Sequence, residues 1–259
     1  MVAAHGRHFV VESAEGVRRR CHRRGKKLDC VVGDHVVWHP SGDEGVIEAV
    51  EPTHAESQLA RALIAARAAD IAAEVVLNKV DLPGVDAARE RLAPYRRMGV
   101  AIHEVSLQHD SAGARAVLEP LLHGHVTLLL GPSGTGKSTL VNLMVPSARA
   151  QVCELSAALA SGRHTTTTST WYWLDPQRRG ALIDSPGFQE YGLHHLPASR
   201  LAALMPDLAP HSAQCRFHNC THRQEPDCAV RDALARGDIA PVRYRVYEEL
   251  YAELSAPRY

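Results

Sequence analysis

Eight residues, Gly131-Pro132-Ser133-Gly134-Thr135-Gly136-Lys137-Ser138, constrain this chain more than any other stretch of it. They satisfy G-x-x-x-x-G-K-[ST]. An apolar run, Val126 to Leu130, precedes them, and Thr139-Leu140-Val141-Asn142-Leu143 starts like a helix behind them. Strand, glycine-rich turn and helix in that order form a phosphate-binding loop. The glycines let backbone N–H groups converge on phosphate oxygens, and the helix N-terminus adds its positive dipole end. Lys137 is expected to reach the β/γ-phosphates and Ser138 to ligate Mg²⁺. Gly131 through Thr139 are therefore candidate nucleotide contacts.

The surroundings alternate between strand and helix. Glu74-Val75-Val76-Leu77 reads as a buried strand and residues 86–98 as a helix. Val100-Ala101-Ile102 reads as a strand, residues 112–123 as a helix, and Leu182-Ile183 as a further short strand. Residues 57–73 are alanine-rich and helical in pattern. Such alternation indicates an α/β domain with a mostly parallel sheet.

A phosphate loop alone does not separate ATP from GTP. Asn78-Lys79-Val80-Asp81 does, because it has the N-K-x-D form that reads guanine. The Asp81 carboxylate can accept hydrogen bonds from the guanine N1–H and 2-amino group. Adenine offers no matching donors and would leave that carboxylate unpaired. The motif follows a strand, at the carboxyl edge of a sheet where ligands bind. An ATP-dependent kinase or transporter-type ATPase is the main competing reading, and N-K-x-D argues against it. GTP/GDP and Mg²⁺ are the expected ligands of a GTP hydrolase acting on the phosphoanhydride bond.

Asp184-Ser185-Pro186-Gly187 has the D-x-x-G form, which places a carboxylate near Mg²⁺ and the Gly187 N–H near the γ-phosphate. Between the two phosphate motifs lies Gly162-Arg163-His164-Thr165-Thr166-Thr167-Thr168. A threonine here, Thr166 among them, could close over Mg²⁺ as a switch loop does; the plainer reading is an edge strand. In Ras-like GTPases a water-orienting glutamine follows D-x-x-G. Here Phe188 stands there and cannot orient water. The motif order is also circularly permuted, since N-K-x-D precedes the phosphate loop by about fifty residues. Termini lying close together make such a permutation tolerable.

Outside this domain two features stand out. Residues 1 to about 50 read as short strands (His8–Glu12, Cys30–Val32, Val36–Trp38) split by glycine-containing turns. A small β-barrel fits, and the OB-fold is one such barrel. Arg18, Arg19, Arg20, Arg23, Arg24, Lys26 and Lys27 crowd together with no acid among them, although acids and bases balance over the chain. This is either a solvated hairpin or a patch that meets phosphates. Beyond about Pro197, Cys215-x4-Cys220-x-His222-x5-Cys228 offers three thiolates and one imidazole, a full tetrahedral set for one structural Zn²⁺. His211 and His218 are alternates, but the spacing favours His222. Three buried free thiols beside a surface histidine is the plainer reading, and the polar filling argues against it. A nucleic-acid-binding zinc protein with a degenerate GTPase is a further alternative; Lys137, Ser138 and Asp184 are all present and disfavour it. No run approaches the roughly 18 apolar residues of a membrane span, and the first residues lack the apolar core of a secretory signal. A cytoplasmic, monomeric protein is the default expectation.

Together these motifs resemble the ribosome small subunit-dependent GTPase A family (RsgA, also YjeQ or EngC). The matching pieces are Arg24-Gly25-Lys26-Lys27, Val32-Gly33-Asp34, the Asn78–Asp81 motif, Gly131–Ser138, Gly162–Thr167, Asp184–Gly187 and the Cys/His set. The resemblance implies three domains: an OB-fold barrel (1–50), a circularly permuted P-loop GTPase domain (51–195) and a helical zinc-binding domain (196–259). It implies the small ribosomal subunit and its rRNA as partner, late in subunit maturation, with hydrolysis stimulated by the subunit. It also assigns His164 a part in catalysis, and Val105-Ser106-Leu107 stands where the family's guanine-contacting serine-alanine loop would be, which makes Ser106 a candidate.

The chain departs from that family at one place. Val46-Ile47-Glu48-Ala49-Val50 runs almost directly into Glu51-Pro52-Thr53 and a helix. About 30 to 40 residues, enough for one linker and one strand, are expected to be missing near residue 51. The missing strand would lie centrally, beside the phosphate-loop strand, and its loss would leave backbone groups unpaired. A Cα–Cα separation near residue 50 well above ~3.8 Å would mark residues omitted from the sequence; a continuous chain there would refute it.

Overall fold

The structure is a computed structural model. It describes residues 3–5, 8–13, 17–23, 36–42, 44–50, 54–132, 134–148, 169–185 and 192–256. The chain divides into two compact units. One comprises Met1–Arg61, Leu193–Ala203 and Leu208–Tyr259, and the other Ala62–Gly192 with Leu204–Asp207.

The first unit opens with five strands: β1 (Ala3–His5), β2 (His8–Glu12), β3 (Arg18–Arg23), β4 (Val36–Ser41) and β5 (Glu44–Val50). They form one sheet in the order β1-β2-β3-β5-β4, antiparallel except for the β3–β5 pair. Alternate residues of β2, Phe9 and Val11, turn inward against Cys21 and Ile47 to make a small core. This is the period-two pattern of a half-buried strand. The expected strand at Cys30–Val32 lies outside the described residues. Arg18, Arg19, Arg20 and Arg23 of the basic run fall on β3. Arg20 pairs with Glu44 at 3.5 Å, and the Arg19 guanidinium sits 5.7 Å from the Trp38 ring centre.

The second unit is α/β. Its elements are α1 (His54–Ala68, which begins in the first unit), β6 (Val75–Asn78), α2 (Val85–Arg97), β7 (Ile102–Val105), α3 (Ser111–Leu122), β8 (Val126–Leu129), α4 (Lys137–Met144), β9 (Thr170–Trp173) and β10 (Ala181–Asp184). The Asp110 side chain accepts a hydrogen bond from the Gly113 N–H at 2.9 Å and so starts α3. Ala114, Leu118 and Leu122, four apart on one face of α3, pack with Leu140, Val141 and Met144 of α4 and with Leu182 of β10. β9 was not expected as a strand, although Thr-Trp-Tyr-Trp is rich in β-formers.

The sheet is divided. β6 pairs in parallel with β7, and β8 pairs in parallel with β10, which pairs antiparallel with β9. Among the described residues no pairing joins β6 to β8. The expectation of a buried strand at residues 74–77 is corrected on this point: Val76 is 39% exposed. Among the described residues β6 pairs with β7 alone, and the face that carries Val76 is left open. The proposed break near residue 51 itself falls outside the described residues.

The C-terminal part of the first unit holds short helices α5 (Leu201–Leu204, assigned in part to the second unit) and α6 (Ala209–Ser212), then α7 (Ala229–Arg236) and α8 (Pro241–Ser255). Tyr244, Val246, Tyr247 and Leu250 form the buried side of α8. No described helix is long and apolar enough to cross a membrane.

Candidate functional site

The loop after β8 turns through Gly131, Gly134 and Gly136, all at positive φ, into the first turn of α4. Gly136 must stay a glycine for a second reason. A Cβ there would meet the Asn78 side-chain amide and come 3.3 Å from Leu107 Cδ1. The guanine motif therefore lies directly against the phosphate loop.

Three hydrogen bonds make that join. Asn78 Nδ2 donates to the Thr135 carbonyl at 3.0 Å, and Lys79 Nζ donates to the Gly134 carbonyl at 2.9 Å. Asn78 Oδ1 accepts from the Leu107 N–H at 3.1 Å, linking the loop after β7 to both. Lys79 adopts φ 67°, an uncommon region for a non-glycine. Residues far apart in sequence thus form one rim. The Ser106 hydroxyl donates to Asp81 Oδ1, and this bond holds the Asp81 carboxyl below its ordinary range. Asp81 remains exposed. Sequence reasoning found Ser106 only through resemblance; its partner across 25 positions became visible with the fold.

At the other end of the loop, Lys137 Nζ donates to the Gly131 and Pro132 carbonyls at 2.8 and 3.1 Å. Burial pushes the Lys137 ammonium down, and Asp184 opposes this. Asp184, at the end of β10, is 2% exposed. Burial pushes its carboxyl up, while Lys137 and a hydrogen bond from Ser138 pull it down. Among the described residues its Oδ1 is buried with no hydrogen-bond partner. A buried carboxylate oxygen of that kind is costly unless a cation completes it. The Ser138 hydroxyl beside it supplies the second hard oxygen, so the pair fits Mg²⁺. The Ser185 hydroxyl donates to the Leu129 carbonyl at 2.6 Å and ties β10 to the end of β8. Thr139 lies in the first turn of α4. Ser133, His164, Thr166, Gly187 and Phe188 lie outside the described residues.

In the first unit, Cys215, Cys220, His222 and Cys228 bring their ligand atoms within 4.8 Å of one another. His222 Nδ1 is 3.4 Å from Cys215 Sγ and 3.6 Å from Cys228 Sγ, and those two sulfurs are 3.9 Å apart. Two thiolates on one tetrahedral ion with ~2.3 Å bonds would be ~3.8 Å apart, so the set fits a single metal ion. Burial lowers the pKa of His222, which favours the neutral, ligating imidazole. Burial also pushes the Cys220 thiol up to about 12, a cost that a bound dication reverses. His222 takes φ 59° and is held there from α8. Tyr244 Oη donates to the His222 carbonyl at 2.6 Å and Tyr247 Oη to the Thr221 carbonyl at 2.8 Å. The Glu225 carboxylate accepts from the Thr221 N–H and hydroxyl and from the Arg223 and Gln224 N–H groups. Burial opposes its charge, yet these donors hold it down to about 2. Sequence reasoning missed Glu225, a non-ligand residue inside the motif, and Tyr244 and Tyr247, because nothing in the motif's spacing points to partners on a later helix.

Comparison with known proteins places this geometry in a family. Residues 45–194 match the family model described as RsgA GTPase. A protein of Variovorax paradoxus (strain S110) named small ribosomal subunit biogenesis GTPase RsgA is 48% identical over 295 aligned positions, covering 100% of this chain and 93% of that protein. One of the same name from Bordetella pertussis is 47% identical over 291, covering 100% and 96%. Among solved structures, YjeQ from Thermotoga maritima aligns with TM-score 0.62 at 26% identity, covering 99% of this chain and 98% of that one. YloQ, titled a circularly permuted GTPase, aligns with TM-score 0.61 at 23% identity, covering 100% and 95%, and supports the fold. Motif order, the joined nucleotide motifs and full-length similarity agree: the chain belongs to the RsgA GTPase family and is a GTP-hydrolysing enzyme.

Proposed function

We propose that this chain acts in the cytoplasm on the small ribosomal subunit late in its maturation, and that the subunit stimulates its GTP hydrolysis. The observation that carries this reading is full-length similarity to proteins named for small-subunit biogenesis. The arginines of β3 support an rRNA contact, since Lys and Arg neutralise backbone phosphates. The β1-β2-β3-β5-β4 order with its one parallel pair supports an OB-type barrel over residues 1–50, followed by a GTPase domain over 51–195 and a zinc domain over 196–259. The working protein is a monomer.

In this reading Asn78, Lys79, Asp81 and Ser106 hold the guanine. The N–H groups of Gly131 and of Ser133–Thr139 hold the phosphates, with Pro132, Ser133 and Thr135 shaping the turn. Ser138 and Asp184 hold Mg²⁺, which when bound spreads the charge of the β- and γ-phosphates. Lys137 trades its two carbonyl partners for phosphate oxygens. Water attacks the γ-phosphorus, the bond to the bridging oxygen breaks, and GDP and phosphate leave. His164 orients that water or senses the subunit, with Thr166 and Gly187 completing the switch. Addition of purified small subunits is expected to raise GTP turnover at least tenfold, and His164→Ala to remove most of that gain. No stimulation would reject the ribosomal reading; full stimulation of the variant would reject the role of His164.

The metal is Zn²⁺ in a structural role, because a closed four-ligand set leaves no open position for chemistry. Purified protein is expected to carry about one equivalent of zinc. Cys220→Ser should lose most of it and speed amide exchange over residues 215–228. Metal-free protein with unaltered exchange there would sink the assignment.

A further inference from the structure

The two faces of the five-stranded sheet differ in kind. Phe9, Val11, Cys21 and Ile47 form the apolar core on one of them. Directly opposed residues stand on the same face, and Phe9 opposes Cys21. The next rung therefore belongs to the other face, and it is made of histidine. His8 of β2 opposes His22 of β3, and His5 of β1 opposes His8. Three successive strands thus carry a histidine in one row. The row continues through Val46 of β5 to His39 of β4.

The surroundings of His8 and His22 suit a cation. Among the described residues, Nδ1 of His8 is buried with no hydrogen-bond partner. A buried ring nitrogen of that kind is costly until something meets it. Across the rung, His22 Nδ1 lies 3.5 Å from Glu44 Oε2. A carboxylate on one imidazole nitrogen fixes the ring and leaves the other nitrogen to bind a metal. The other oxygen of Glu44 stands 3.5 Å from Arg20 Nε, so the neighbouring guanidinium is already matched by an acid. Opposed Cα atoms lie about 4.5–5.5 Å apart. Imidazoles at that spacing can reach the roughly 3.3 Å between neighbouring nitrogens on a tetrahedral ion with ~2.0 Å bonds. His39 lies two strands from His22, about 9.6 Å away, and pairs with Glu48 at 3.1 Å. It belongs to a different neighbourhood.

We propose that His8 and His22 form a metal site separate from the Cys/His set, taking a borderline dication such as Zn²⁺ or Ni²⁺. Glu44 orients His22, and His5 holds the register position of a third ligand. Imidazole is the ligand class that suits these ions. Among the described residues only the Cys/His set gathers three or more ligand atoms. The row gives two described imidazoles, so this site is open, completed by water, and weaker than the closed one. Its effect is structural, because the ion joins β2 to β3 on the face opposite the core. A sheet with so small a core cluster gains most from such a staple. The ion also adds positive charge to the face that bears Arg18 and Arg20, which alternate with Cys21 along β3.

The test uses the full chain and Zn²⁺ alone. Equilibrium dialysis at neutral pH is expected to show about one equivalent more on the parent than on His22→Ala or His8→Ala. Glu44→Gln should weaken that equivalent by about 10- to 100-fold, while His39→Ala leaves it in place. Zn²⁺ should also slow amide exchange over residues 8–12 and 18–22 in the parent and not in His22→Ala. His22 is exposed, so its replacement should leave the sheet folded; His22→Gln, a polar replacement, repeats the comparison. Equal metal content in parent and both histidine variants overturns the proposal. So does an equivalent that His39→Ala removes equally, or one that leaves exchange in β2 and β3 unchanged. These readouts involve no nucleotide or ribosome, so they stand or fall apart from the function proposed above.

Discussion

Lys137→Met will lower single-turnover GTP hydrolysis by about 10²- to 10³-fold, the loss expected for one preorganised charge aimed at developing negative charge. Methionine keeps the aliphatic stem and removes the ammonium, so the first turn of α4 stays packed. The geometry explains why the effect is large. Nζ already rests on the Gly131 and Pro132 carbonyls, at the mouth of the loop and opposite Asp184. Those carbonyls are the partners it exchanges for phosphate oxygens. Burial disfavours its charge, and a polyphosphate supplies the compensating one. The measurement is quenched turnover at saturating GTP, with circular dichroism as the check on folding. A folded variant within about threefold of the parent rate would remove Lys137 from the mechanism.

The second large effect belongs to the base. Asp81→Asn will weaken GDP and GTP binding by about 10²- to 10³-fold, as for a site whose polar group faces the wrong partner. The carboxylate is exposed, and one oxygen is already engaged by the Ser106 hydroxyl. A carboxylate at the surface can accept from the guanine donors as well. Asparagine would turn an N–H₂ toward the guanine donors, placing donor against donor. Because the group is at the surface, the fold should not change, and the loss should appear in titration calorimetry with GDP rather than in the melting curve. Retained guanine affinity with unchanged preference over adenine nucleotides would show that the N-K-x-D motif does not read the base. The two variants test separate ends of one rim: one changes the chemistry at phosphate, the other the recognition of the ring.

Much of this was legible before any fold was known, and the reason is local. A phosphate loop is defined by backbone conformations that only glycine adopts cheaply and by a lysine and a hydroxyl at fixed offsets. The Cys/His set is equally local, because its ligands come from fourteen consecutive residues. The expected helices appear within a few residues of their observed ends, as at residues 112–123 against Ser111–Leu122. What stayed hidden depends on distance along the chain. Ser106 bonds Asp81 across 25 positions, and Tyr244 holds His222 in its left-handed conformation across 22. Neither contact leaves a periodicity or a spacing to read. The strand at residues 74–77 was expected to be buried because its residues are apolar, and Val76 is not, because burial belongs to neighbours rather than to composition.

The permuted order of motifs marks the boundary between the two kinds of knowledge. Sequence alone determined which motifs exist, which chemistry each can perform, and that they run in rotated order. Sequence also raised the expectation of a missing stretch near residue 51, which lies outside the described residues. Only the tertiary structure decided that Asn78 and Lys79 close onto Thr135 and Gly134, and that among the described residues Asp184 is buried with one oxygen unpartnered and no pairing joins β6 to β8. The physical reason is that a motif's chemistry lies in side chains and local dihedrals, whereas pairing, desolvation and strand order arise where distant segments meet.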